Sequence, residues 1–213
     1  LNSEIDGDGG LDAWIPNDNP FYNASTISPR DYVYTLGHRN PQGLVWGFAK
    51  SSPDTKILYS NEQMDKTDDE VNILEPSKNY GWDKVSGYCD NNVNGYKIGR
   101  TVSADEAAFC NVPANNHQEP IFTLFTVDAL GMAALYAQSN NALWPTIACS
   151  SIEFYGKNVI PGWPNSLLIS PLKKDRIFRV KLNDLGTGVI GDTIPYFIGD
   201  GNRIRRITAS PDG

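Results

Sequence analysis

Short blocks of alternating apolar and polar residues, broken by turn-forming residues, recur along this chain. Ile177-Phe178-Arg179-Val180-Lys181-Leu182 is the clearest of them, the pattern of a half-buried strand. The same reading, with β-branched and aromatic enrichment, predicts strands over 31–36, 44–48, 56–60, 71–74, 120–127, 151–155, 166–170, 176–182, 193–198 and 203–209. One short helix is expected over 129–137. Asn40-Pro41 is a turn signal, so 31–36 and 44–48 read as two strands joined by a sharp turn with exposed polar tips. Residues 90–118 show no period and read as a long excursion loop. Strand-turn-strand at this density with almost no helix means an all-β fold. Sandwich, barrel and propeller are not separated by pattern alone.

Composition narrows the chemistry. The 213 residues suffice for one sizeable core, and 19 Gly with 14 Pro agree with many turns. A net charge of −7 argues against nucleic acid. No apolar run is long enough to span a membrane as a helix. Basic residues nevertheless cluster late: Lys173, Lys174, Arg176 and Arg179, then Arg203, Arg205 and Arg206. A basic patch on an acidic protein suits a small anionic ligand, or is a solvated strand face. Cys89 and Cys110 lie in a loop-rich region and can pair, leaving Cys149 over. Asn23-Ala24-Ser25 is a glycosylation sequon, meaningful in a eukaryotic secretory setting.

Two stretches carry candidate chemistry. Gly37-His38-Arg39-Asn40-Pro41-Gln42-Gly43-Leu44 packs a guanidinium and two carboxamides between apolar runs, a dense donor and acceptor set in which Arg suits carboxylates. Asp68, Asp69, Glu70 and Asp90 flank irregular backbone, which suits calcium, whose ligands are oxygens including main-chain carbonyls; a solvated acidic loop is the alternative. Asp6-Gly7-Asp8-Gly9-Gly10 begins like an EF-hand loop, but Gly10 and Leu11 break the spacing, so it reads as a turn.

The signature at 37–44 resembles that of the glucose/sorbosone dehydrogenase family, soluble quinoproteins that use pyrroloquinoline quinone (PQQ). The likeness continues in order through Asp68-Asp69-Glu70-Val71-Asn72, Asn79-Tyr80-Gly81-Trp82, Trp144-Pro145-Thr146, Gly162-Trp163, Pro171-Leu172-Lys173, Asn202-Arg203-Ile204-Arg205 and Ser210-Pro211-Asp212-Gly213. It covers nearly the whole chain. The resemblance implies a six-bladed β-propeller, of which residues 1–213 form roughly half, the middle-to-late blades, cut at both ends and poorly stable without the others.

The resemblance also implies a site. Lys173, Arg203 and Arg205 pair with the carboxylates and quinone oxygens of PQQ, Thr146 is a further contact, and Arg39 and Asn40 lie against its ring, with Arg39 also near the sugar. Trp144 walls the sugar pocket. The family's catalytic calcium sits on two successive carbonyls of a Gly-Pro pair, where this chain has Met64-Asp65, and Gly permits backbone angles that Met does not. A second, structural calcium corresponds to Glu70, Tyr80, Ser86, Tyr88 and Asp90, some through main-chain oxygens, with Glu119 as a sixth ligand. Asn141 stands where the family has a sugar-pocket Tyr.

The activity implied is PQQ- and calcium-dependent oxidation of aldose sugars to lactones by hydride transfer, by a secreted or periplasmic protein that is a homodimer when complete. The family's general-base His falls ahead of residue 1, so this chain alone is not expected to catalyse; His38 belongs to the signature, and His117 reads as surface. The alternative is a non-catalytic binding propeller, like the dehydrogenase-like domains of hedgehog-interacting proteins. Lys173, Arg203 and Arg205 favour the enzyme, and Met64-Asp65 favours the binding module.

Overall fold

Strand β1, Pro41–Ala49, turns back at Lys50 and Ser51 into β2, Ser52–Glu62, with Val45 opposite Tyr59 and Trp46 opposite Leu58. Along β1 the residues turned inward are small: Gly43, Val45, Gly47 and Ala49, while Leu44 and Trp46 face outward. The computed structural model from which this is read describes residues 15–23, 25–26, 28–93, 97–98, 100–101, 106–138, 140, 143–199 and 201–213. The expected turn at 6–10 and Asn141 lie outside them.

Strands β3, Asp69–Ile73, and β6, Phe122–Leu124, complete an antiparallel sheet of order β1-β2-β3-β6. Between them in sequence lie a two-stranded ribbon, β4 Lys97–Ile98 with β5 Arg100–Thr101, and helix α1, Glu106–Cys110. Helix α2, Ala129–Tyr136, follows, capped by Asp128, whose carboxylate accepts from Gly131 N–H. The second sheet is a meander of β7 Cys149–Tyr155, β8 Ser166–Pro171, β9 Ile177–Lys181 and β10 Ile194–Tyr196. Every residue of β8 is buried, because this central strand is covered on both faces.

The sheets meet where β1 and β2 pack on β7. Tyr59, Val71, Leu124, Ile152, Phe154, Leu167, Ile169 and Phe178 fill the space between. Gly47 is what admits two rings there: a Cβ on it would lie 2.7 Å from Phe154 and 2.8 Å from Tyr59. Tyr59 itself donates to Gly186 O at 2.7 Å. Among the described residues no helix is long and apolar enough to cross a membrane.

The all-β expectation holds: eight of the ten expected strands form with shifted ends, and two do not. The segment 31–36 is not a strand. Ser28 and Asp31 form a capping box and Pro29 opens the helix, so Pro29–Tyr32 is a single 3-10 turn. Beyond it the chain runs extended beside 77–80, with Leu36 N–H donating to Lys78 O and Tyr80 N–H to Leu36 O, both at 2.9 Å. The partner of β1 is therefore β2. Residues 203–209 also form no strand; β10 already covers β9, and this segment is tied instead to serine side chains, Ser150 Oγ donating to Arg205 O and Ile207 N–H to Ser151 Oγ. The excursion at 90–118 holds the ribbon and α1.

Candidate functional site

The signature turn is pinned from below by one buried acid. Glu62, at the end of β2, accepts from His38 Nδ1 at 2.9 Å, Arg39 N–H at 2.8 Å and Asn40 N–H at 3.3 Å. The polar tip is thus half-buried and clamped, not exposed as the pattern suggested. His38 Nε2 lies 2.8 Å from Thr35 Oγ1, and its ring stacks on Tyr80. Arg39 reaches Gln63 O at 2.8 Å and Asp65 Oδ1 at 3.3 Å, with its guanidinium over Trp82. Asn40 takes Gln63 Oε1 at 3.2 Å. No local pattern marked Glu62, because a Glu at a strand end reads as solvent-facing.

The other cofactor candidates sit at the corresponding end of the second sheet. Lys173 follows β8, and its ammonium bonds Trp144 O and lies 3.5 Å from Thr146 Oγ1. Arg203 Nε donates to Leu172 O at 3.1 Å, beside Lys173. Burial, then the neighbouring Lys174 charge, lowers the Lys173 pKa. Gln63 Nε2 donates to Cys149 O at 3.0 Å and Asn61 Nδ2 to Ser151 O at 3.1 Å, so the two strand ends are directly bonded. Arg205 lies farther along β7, in a groove of about 380 Å³ with Gln42, Ser150, Ser151 and Arg206. Of the six cofactor candidates it is the only one lining that groove.

Asp69 joins the two halves. Its carboxylate is fully buried and accepts from Met64 N–H at 2.9 Å, Ile147 N–H at 2.7 Å and Ala148 N–H at 2.8 Å. Burial pushes its pKa up to about 6 against these bonds. Met64 keeps a negative φ, so a Met is compatible with the backbone where the family has Gly.

The acidic candidates gather around the loop 86–92. Glu70 accepts from Gly87 N–H at 2.9 Å, Asp90 from Asn92 N–H at 3.0 Å, and Glu119 from Cys89 N–H at 3.0 Å. Burial raises Glu70 well above the usual range, and the Glu62 charge adds to it. Tyr88 is also raised, chiefly by burial. Asp68 and Glu106 join this cluster, pushed by burial to about 6 and about 7. Among the described residues, the buried Asp68 Oδ1, Ser86 Oγ and Asn92 Oδ1 meet no hydrogen-bond partner. Asn92 and Glu106 were not legible as site residues, since both lie in sequence without period. The Tyr80 hydroxyl points away from this cluster, to Ile73 O and Glu75 N–H, so only its main chain remains as a ligand.

Two further expectations change. Trp144 is 4% exposed, with the Lys66 ammonium 4.7 Å from its ring centroid and Tyr136 on its edge, so its ring is not an open wall. His117 is not plain surface: its Nδ1 is 3.1 Å from Asn79 O and its Nε2 3.1 Å from Cys89 Sγ, and burial lowers its pKa. Cys89 and Cys110 form a disulfide, and Cys149 is free and buried.

The profile of the glucose/sorbosone dehydrogenase family matches residues 10–117 and 128–213, and the chain belongs to that family. It is 36% identical over 226 residues to quinoprotein glucose dehydrogenase B of Acinetobacter calcoaceticus, covering 95% of this chain and 45% of that protein. An aldose sugar dehydrogenase of Escherichia coli K12 is 29% identical over 203 residues, covering 93% and 43%. Among solved structures, a glucose dehydrogenase superposes with a TM-score of 0.64 at 26% identity, over 93% of this chain and 45% of that one. The chain spans about half the length of the curated relatives it matches.

Proposed function

We propose that this chain is part of a PQQ- and calcium-dependent dehydrogenase that oxidises aldose sugars, its two sheets being blades of a six-bladed propeller of which residues 1–213 are roughly half. The observation that carries the reading is the Gln63 bond to Cys149 O, which ties the sheet end that carries Arg39 and Asn40 to the one that carries Thr146, Lys173 and Arg203. A planar tricarboxylate needs cations at its rim and neutral donors on its edge, and this set offers both.

Lys173, Arg203 and Arg205 would hold the carboxylates, with Thr146 and Asn40 as neutral partners. The carbonyls of Met64 and Asp65 would hold the calcium, which would supply Lewis-acid polarisation of the quinone. The chemistry PQQ supplies when bound is acceptance of a hydride equivalent from the anomeric carbon, leaving a lactone. Arg39 would orient the sugar. Neither histidine of this chain serves as proton acceptor: both ring nitrogens of His38 are engaged, and His117 packs against the disulfide. Oxygens of Glu70, Tyr80, Ser86, Tyr88, Asp90 and Glu119, some of them main-chain, would hold a second calcium, with Asp68 and Asn92 beside them; the support is that, among the described residues, Asp68 Oδ1, Ser86 Oγ and Asn92 Oδ1 are buried without a hydrogen-bond partner. The disulfide supports an oxidising compartment, secreted or periplasmic. Homodimerisation of the complete protein remains part of this reading.

One observation favours the alternative, a non-catalytic binding propeller: Asp65 brings a carboxylate beside Arg39 and neutralises it. Titration of the full-length protein with PQQ, with and without calcium, separates the two. We expect calcium-dependent, saturable binding and sugar-dependent reduction of a dye. No PQQ binding at any calcium concentration would leave the binding module.

A further inference from the structure

We infer that Asp69 is the residue that sets the spacing between the two halves of the cofactor site, and so acts as a positioning residue for PQQ and its calcium; the inference rests on the function proposed above. Asp69 opens β3 in the first sheet. The groups it binds belong to both sheets: Met64, in the loop that offers the candidate calcium carbonyls, and Ile147 with Ala148, just before β7.

The second-sheet side of this contact is built for an anion. Successive N–H groups of Ile147 and Ala148 converge on one oxygen, and Ala148 has φ 52°, the left-handed conformation that a residue with a Cβ seldom adopts. Such a curl of N–H groups is a concave anion seat, and the anion seated in it is a carboxylate from the neighbouring sheet. From there the order is passed along the backbone. Ile147 O accepts from Lys173 N–H at 3.0 Å, and Ala148 O from Leu172 N–H at 2.9 Å. Leu172 O in turn accepts from Arg203. One carboxylate thereby fixes Met64 relative to Thr146, Lys173 and Arg203. Three N–H groups hold it, and the Lys173 ammonium lies close enough to interact with its charge.

The test is equilibrium binding of PQQ at saturating calcium, on the full-length protein and its Asp69→Asn variant, at a temperature where circular dichroism finds both folded. Asn keeps the size but turns an NH2 toward N–H groups, which opens one side of the clamp. We expect calcium-dependent PQQ affinity to fall about 10- to 100-fold, the usual cost of losing a residue that orients ligands. Calcium and PQQ together should slow hydrogen exchange at Met64, Ile147 and Ala148 of the unaltered protein in concert, a measurement that stands if the variant does not fold. Equal PQQ affinity in the folded variant, or protection at Met64 without protection at Ile147 and Ala148, would overturn the inference. An unaltered protein that binds no PQQ overturns the proposed function and this inference with it.

Discussion

Glu62 and Glu70 face each other across the β2–β3 ladder, both buried, and the Asn72 amide donates to one oxygen of each, at 3.1 and 3.0 Å. One acid serves the signature turn and the other serves the acidic loop. Two like charges sit in neighbouring positions of one sheet, so a shared donor between them is a requirement of the fold. The signature turn and the acidic loop are thus back to back through a single amide.

Asn72→Leu removes that donor and leaves two buried carboxylate oxygens facing each other. A loss of about 3 kcal/mol is expected in urea unfolding. A change within error would mean that the acids are not held in this arrangement.

Gly47→Ala adds a methyl where the Phe154 and Tyr59 rings already lie within 3 Å of its position. The rings must shift, or β1 must back away from β7. The expected cost is about 1–3 kcal/mol, read as a lower denaturant midpoint. Leu44→Ala on the outward face of the same strand is the contrast and should cost less in this chain.

The pH dependence follows from Asp68 and Glu106, whose pKa values rise from 3.8 to about 6 and from 4.5 to about 7 on folding. Between those values the folded state binds protons that the unfolded chain has released. The stability these groups contribute is therefore full below their unfolded values and is lost as pH rises through 6 and 7. In a chelator the melting temperature should fall between pH 5 and pH 8. Calcium favours the ionised carboxylates, so with calcium present the fall should vanish or reverse. Identical melting curves in calcium and chelator would count against a metal at this cluster.

Lys173→Ala removes an ammonium held between Trp144 O and Thr146 Oγ1. PQQ affinity of the full-length protein should drop about 10- to 100-fold, the range for losing a charge-assisted hydrogen bond. The thermal midpoint without cofactor should change little, since this lysine is only partly buried. A strong loss of stability with intact affinity would make Lys173 structural.

Sequence alone determined the parts that depend on neighbours along the chain. The strands expected at 151–155, 166–170 and 176–182 became β7, β8 and β9, because short runs of strand-favouring residues between turn signals mark strands whichever face they bury. Helix α2 was legible from its alanine-rich run, while Cys89 with Cys110 was only one possible pair until the fold brought them together. The signature residues and late basic residues were legible as a set. What they face was not. Tertiary structure chose β2 over 31–36 as the partner of β1, because the capping box at Ser28 and Asp31 turned that segment into a helical turn first. It also buried Trp144 and set His117 against the disulfide. Most of all it gave Glu62 and Asp69 their roles, since each binds N–H groups that the chain brings near only when the sheets close. Local pattern sets which face of a strand is apolar; which backbone donors meet a carboxylate is settled by the packing of one sheet on another.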